Sequence, residues 1–244
     1  KDYNNLPVGM IIGMEGADSI TDPDQLYEWY DEGLRLISLS HYGVSNYSHG
    51  TGTGTDGGLV GKGKELLIEM DKLNMILDVS HTSDESVRQE LEIFEGPIIA
   101  THQNCRSVAP GERQFPDHQL KSIIDRGGVI GHSMDTFMMW KTEIDWSDIP
   151  LPRPFPKDEV TLEDFVDHID HVCQLSGNSL HSAIGGDTDG QGGMVGAPKE
   201  VDTVLDYQKI IALLQTRGYK DSDIENIFYK NWQRFFEANL PYLN

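Results

Sequence analysis

The feature that most constrains this chain is a repeated unit: a short apolar, β-branched run that stops on a polar side chain, followed by an amphipathic stretch. "ILDVSH" (76–81) and "IIATH" (98–102) are two instances, and each ends on an imidazole. Runs of this kind recur at 8–14, 34–40, 75–80, 97–101, 128–131 and 182–186. The segments between them carry helix signals. "DPDQLYEWYDEGL" opens on Asp-Pro-Asp and spaces Leu26, Trp29 and Tyr30 at i, i+3, i+4. "GKGKELLIEMDKLN" ends near Asn74, and "TSDESVRQELEIF" opens on capping residues. "FPDHQLKSIIDRGG" and "TLEDFVDHIDHVCQLSG" close on glycine. "TVLDYQKIIALLQTRG" and "KDSDIENIFYKNWQRFFEANL" read as the last two helices. Strict alternation of strand and helix predicts a mostly parallel sheet with right-handed crossovers.

Each run finishes beside a group capable of chemistry. In order these are Glu15, His41, His81, His102, His132, and the pair Asp187 and Asp189 in "IGGDTDGQGG". In a parallel α/β sheet or barrel the C-terminal strand ends share one face, where catalytic residues collect. A single His after a strand is most often a hydrogen-bonded structural residue, and a Gly-rich Asp loop is most often a turn. Six in register argue for a shared site. Two neutral imidazoles and a carboxylate on neighbouring strands suit zinc. A carboxylate such as Glu15 can also bridge two metals, and Asp187 can ligate or act as a general base to a shared water. His132 reads as structural or pocket-lining, and His168 and His171 as residues of a helix. His49 and His118 carry no argument.

Composition narrows the partners. The chain has 244 residues, 38% of them hydrophobic, enough for one domain over 1–244. Forty acidic against 19 basic residues give a formal charge of −21, a surface that repels nucleic acid and anionic membranes. No apolar run reaches the ~18 residues of a membrane span. "KDYNNLPVG" shows no basic stretch leading into an apolar one. Cys105 and Cys173 sit in no metal-like or redox-like spacing, which favours a reducing compartment such as the cytoplasm. The Pro- and Trp-rich segment 134–159 is too long for a plain connection and reads as a loop over a site.

At this point the residues resemble the membrane (renal) dipeptidase family of zinc peptidases, (β/α)8 TIM barrels of the metal-dependent amidohydrolase kind. The matching stretches are "IIGMEGADSI", "LISLSHYGVSN", "LDVSHTSDESV", "ATHQNCRSVAPGERQFPD", "FVDHIDHV", "IGGDTDG" and "NWQRFFE", in the family's order. The resemblance implies that Glu15 bridges two zinc ions and that His81 and His102 bind one of them. It implies that His41 contacts the substrate and its developing oxyanion, and that Asp187 handles the proton of the attacking water. Arg113, before "QFPD", would grip the dipeptide's terminal carboxylate, a pairing that the guanidinium fork favours. A homodimer is compatible with it.

The chain departs from the family pattern in one major respect. The family carries a His-x-Asp pair at the end of its first strand, ligating the other zinc, and no such pair precedes Glu15 here. The six runs agree: a closed barrel of this type needs eight strands, and two βα units of roughly 30 residues each cannot fit before Glu15. The expectation is therefore a barrel lacking its first two strands in this chain and holding one or two zinc ions. Those strands belong to the rest of the gene product or to a second polypeptide, or the sheet is rearranged around one metal. After the fifth run, "HSMDTFMMW" replaces the family's usual Asn- or Tyr-bearing loop, so substrate preference does not transfer. Three readings stand: a zinc-dependent dipeptidase, a non-catalytic metal-binding barrel, and an amidohydrolase acting on another small-molecule bond.

Overall fold

The computed structural model describes residues 9–142, 159–188 and 196–241. All six expected runs are strands: β1 (Ile12–Glu15), β2 (Leu34–Ser38), β3 (Ile76–Asp78), β4 (Ile98–Ile99), β5 (Ile130–Ser133) and β6 (Ser182–Gly186). Every pairing is parallel, with Ile12 opposite Leu34, Leu36 opposite Ile76, Leu77 opposite Ile98, and Ile130 opposite Ser182. β1 to β4 form one sheet and β5–β6 a second. A parallel bridge between Ala100 and Ile130 joins them, held by Ala100 N to Val129 O (3.0 Å) and Gly131 N to Ala100 O (2.8 Å). The spatial order therefore follows the chain order without a switch point, as in a barrel wall rather than a doubly wound sheet.

The helices follow the strands. They are α1 (Leu26–Asp31), α2 (Gly63–Lys72), α3 (Asp84–Ile93), α4 (Asp117–Asp125), α5 (Leu162–Ser176), α6 (Lys209–Thr216), α7 (Asp221–Glu225) and α8 (Asn231–Asn239). From α2 to α6 each packs on the next, forming the outer layer. Their ends follow the sequence signals. The Ser83 hydroxyl accepts from Ser86 N, Thr161 and Asp164 form a capping box on α5, and Gly177 takes the left-handed conformation that ends it.

Strand periodicity divides the core. Ile37, Leu77, Ile98 and Ile130 face the helices, packing with Leu66, Leu67, Met70, Val87, Leu120 and Ile123. Their neighbours Leu36, Ile76, Ile99, Val129 and Ala183 face the other way, against Trp232, Phe235 and Phe236 of α8. The C-terminal helix thus fills the inner face at one end, leaving the strand ends clear at the other. Gly131 and Gly185 meet there so closely that a Cβ on either would lie within 2.5 Å of the Thr101 carbonyl. Leu77→Ala should cost about 2–5 kcal/mol, because the wholly buried side chain leaves a void between β3 and the helix layer. Urea unfolding of parent and variant measures it.

Two helix expectations change. Trp29 is 37% exposed, whereas Leu26 is wholly buried and Tyr30 packs against the core and under Arg35. With only six residues, α1 turns its i, i+4 pair inward and has no room for a wider apolar face. "TVLDYQKIIALLQTRG" is not one helix: its first part is a 3-10 turn (Val204–Gln208) with no buried residue, and α6 begins at Lys209. α7 and α8 are joined by a π-helical turn (Asn226–Lys230), after which the buried Asn231 donates to the carbonyls of Ser179 and Ser182. Most of the expected loop over the site, and Asp189, lie outside the described residues. Its first part, Thr136–Met139, is a buried 3-10 turn. No helix among the described residues is long and apolar enough to cross a membrane.

Candidate active site

The strand ends converge on Glu15. As the last residue of β1 it extends a half-exposed carboxylate whose Oε1 lies 3.0 Å from His102 Nε2 and 3.3 Å from His81 Nε2. Its Oε2 lies 3.8 Å from His41 Nε2. The imidazoles pack on one another: the His41 and His81 rings are 4.2 Å apart, and those of His81 and His102 are 4.9 Å apart. Contacts from His102 and then His81 hold the Glu15 carboxyl well below the usual carboxylate range. Burial, helped by the Arg113 charge, holds the His81 imidazole well below its ordinary value. Burial also lowers His41, against the pull of Glu15. An ionised carboxylate beside neutral imidazoles is the protonation state of a metal site.

Hydrogen bonds fix the tautomer of His102. The Thr101 hydroxyl donates to Asp78 Oδ2 at 2.5 Å and lies 2.8 Å from His102 Nδ1. Its one proton is committed to a carboxylate, so Nδ1 must be the donor, which leaves Nε2 to face the Glu15 carboxylate oxygen at 3.0 Å. The donor set therefore fits a divalent ion, with Thr101 and Asp78 as outer supports of one ligand. Among the described residues, Glu15, His41 and His81 also lie within mutual ligand range, so His41 competes with His102 for the third position.

A cavity of about 310 Å³ opens on this face, lined in part by Glu15, Asp78, His102 and Asp187. Asp187 follows β6 directly, and its Oδ2 accepts from the Ser133 hydroxyl at 2.9 Å. Three described non-glycine residues have positive φ, and two are His81 (66°) and Asp187 (61°). Such conformations persist where surrounding structure over-determines them, and they gather at functional sites.

Arg113 is 2% exposed, far from the surface loop its context suggests. Its Nη1 donates to Gln103 Oε1 (2.6 Å) and its Nη2 to the His102 carbonyl (3.0 Å), while Nε has no partner. No described carboxylate forms an ion pair with it. A buried guanidinium beside the candidate metal ligands thus lacks a counter-ion among the described residues, which is costly unless something supplies one.

Five of the six strand ends, through Glu15, His41, His81, His102 and Asp187, and Arg113 are therefore brought together. His132 is not part of the cluster: it is wholly buried and pins β5 through the Gln103 carbonyl (3.1 Å) and the Ser182 hydroxyl (3.0 Å). His168 sits inside α5 and accepts from Cys105 N at 3.1 Å, and His171 pairs with Asp117 at 2.8 Å.

The family model for membrane dipeptidases, peptidase family M19, matches residues 2–240. The chain belongs to the membrane dipeptidase family. Among its curated relatives, "Dipeptidase verJ" of Clonostachys rogersoniana is 30% identical over 95% of this chain and 55% of its own length. "Dipeptidase 3" of Mus musculus is 27% identical over 96% of this chain and 45% of its own. This chain spans about half the length of the curated relatives it matches. The fold is that of solved family members. A metallo peptidase from Rhodobacter sphaeroides, bound to a phosphinate mimic of L-Ala-D-Ala, superposes with a TM-score of 0.77 at 24% identity, over 94% of this chain and 63% of its own. The probable dipeptidase PvdM of Pseudomonas aeruginosa gives 0.79 at 22% identity, over 93% and 68%. Such relatives carry the metal-dependent hydrolase barrel, to which the six-stranded parallel wall corresponds.

Three neighbours of this candidate site escape the sequence reading. Tyr42 sets its ring 4.7 Å from His41 and 4.9 Å from His81. Ser133 holds Asp187, and Asp135 is buried close by, its backbone N–H donating to the Ser133 hydroxyl at 3.1 Å. Tyr42 directly follows a strand-end His and could have been found by extending that search one residue. Nothing in "HSMD" marks Ser133 as the anchor of Asp187.

Proposed function

We propose that this chain carries the catalytic centre of a zinc-dependent dipeptidase. The observation that supports it most is the ionised Glu15 carboxylate met by the Nε2 atoms of His102 and His81 at 3.0 and 3.3 Å. Glu15, His81 and His102 would hold the ion, an oxygen and two nitrogens being a donor set that suits zinc. The chemistry zinc supplies in such a site is a water acidic enough to lose its proton near neutral pH, together with a polarised carbonyl.

The protein's own groups do the rest. His41, kept largely neutral by burial, presents Nε2 on the same face and donates to the oxygen of the scissile carbonyl as charge develops there. Asp187 takes a proton from the attacking water on the carboxyl oxygen not engaged by Ser133 and delivers it to the departing amine. Arg113 finds its missing counter-ion in the terminal carboxylate, which limits the substrate to short peptides.

The test is kcat/KM for a matched dipeptide and its C-terminal amide. The free acid should be preferred by about 30- to 150-fold, the worth of a charge-assisted hydrogen bond of about 2–3 kcal/mol. Arg113→Ala should erase most of that preference. Equal rates for acid and amide on the parent enzyme would remove carboxylate recognition, and zinc without hydrolysis would leave a metal-binding barrel.

A further inference from the structure

We propose that Arg106, held by Asp84, is a positioning residue that fixes Arg113 beside the candidate metal ligands and so sustains the preference for a free terminal carboxylate. The inference rests on the carboxylate grip proposed above and adds the residue that aims it. "CRSVAPGER" (105–113) carries both arginines in one loop between β4 and α4. The loop closes on itself through Arg106 N to Phe115 O (2.9 Å) and Phe115 N to Asn104 O (3.0 Å).

Every carbonyl from Gly111 to Gln114 is taken by a side chain. Arg106 Nε donates to Gly111 O (3.0 Å) and Gln114 O (2.8 Å), and its Nη2 donates to Glu112 O (3.3 Å). The Arg113 carbonyl itself accepts from Gln103 Nε2 at 2.6 Å. The Arg106 guanidinium also meets Asp84 in a two-pronged ion pair, Nη1 to Oδ2 and Nη2 to Oδ1, both 2.8 Å. Asp84 opens α3 three residues after His81. Glu112 makes a second tie to the same strand end. Its carboxylate accepts from Gly52 N and Gly54 N, in the loop whose Thr51 N donates to the His81 carbonyl at 2.7 Å. Contacts therefore run from the His81 strand end, through Asp84 and Arg106, to the peptide on either side of Arg113.

An ion pair that only stapled a loop would be worth little, and a lysine would serve for it. This one uses a planar fork: two N–H groups bind a carboxylate in parallel while the others gather three carbonyls, a task suited to a guanidinium and not to an ammonium. Arg106 acts on the backbone from which the Arg113 side chain leaves toward Gln103 and the His102 carbonyl. In a dipeptide the terminal carboxylate lies one residue from the scissile amide, so the guanidinium must stand at a fixed distance from the candidate metal ligands. A loop free to drift loses that match, and binding of the free acid weakens while the chemistry does not.

Arg106→Gln removes the fork and its charge, and Arg106→Lys keeps the charge without the fork. kcat and KM for a matched dipeptide and its C-terminal amide should be measured on the intact parent and both variants. In Arg106→Gln the preference for the acid should fall about tenfold through a higher KM for the acid, while kcat for the acid and kcat/KM for the amide move by less than about threefold. Arg106→Lys should fall nearly as far, because charge alone does not orient the loop. Asp84→Asn leaves Arg106 and the Ser83 cap of α3 in place, should shift the preference the same way by a smaller factor, and substitutes if the Arg106 variants do not fold. An equal loss on acid and amide, a lysine variant with full preference, or a lower melting temperature with the preference intact overturns the proposal and leaves Arg106 a loop staple. A parent enzyme that cleaves dipeptide and amide equally overturns the carboxylate grip itself, an outcome read before any variant is made.

Discussion

Asp187→Asn should lower kcat by about 10²- to 10⁴-fold while KM moves by less than about threefold, the signature of a lost proton-transfer group. The substitution is close to isosteric at a demanding position. Asp187 has a φ of 61°, a left-handed conformation that Asn tolerates nearly as well as Gly. The Ser133 hydroxyl, 2.9 Å away, can still donate to the amide oxygen, so the side chain keeps its anchor. What disappears is a basic oxygen on the cavity shared with Glu15 and His102. Asn cannot take the water's proton or return it to the leaving amine, and both steps fall after substrate has bound. Ser133→Ala should give a smaller loss, because the carboxylate remains but its orientation is no longer fixed. A kcat unchanged in Asp187→Asn would remove this residue from the mechanism and point to Glu15 or a second carboxylate.

The strand ends were legible in the sequence because two independent constraints coincide there. The runs through Ile76, Leu77, Ile98 and Ile99 must be apolar on both faces, one against the helices and one against α8. Where burial stops, a polar side chain marks the spot. Glu15, His81, His102 and Asp187 are readable for that reason. Arg113 gave no such signal: it lies in a loop, and only its family context set it apart from a surface arginine. Its burial depends on Gln103 and the His102 carbonyl folding back around it, contacts that no periodicity encodes. Tyr42 stayed hidden because its importance is relational, set by its ring's distances to His41 and His81. Trp29 shows the converse error, in which a correct helical spacing was given a wider buried face than six residues can present.

The proposed metal centre gives the other large effect. Glu15→Gln and His81→Ala should each weaken metal binding by more than about 100-fold, beyond the 10- to 100-fold typical of supporting residues, and abolish turnover. The two substitutions act for different reasons. Gln keeps the length of Glu15 but cancels the charge that gathers His81 and His102, whose Nε2 atoms stand 3.3 and 3.0 Å from one oxygen. Ala at position 81 leaves the charge and removes a nitrogen donor, while its Cβ keeps the cost of a φ of 66°. A folded, inactive, metal-poor protein is therefore expected from both. Thr101→Val separates ligand from support. It removes the hydroxyl that accepts from His102 Nδ1 and donates to Asp78, so the ring loses its fixed tautomer while all three ligands remain. Affinity should fall by about 10- to 100-fold, as for other outer-shell partners, and activity should return with added zinc. Elemental analysis after dialysis, with activity titrated against zinc, measures all three. His81→Ala with undiminished metal would make His81 structural and shift the ligand set to Glu15, His102 and His41.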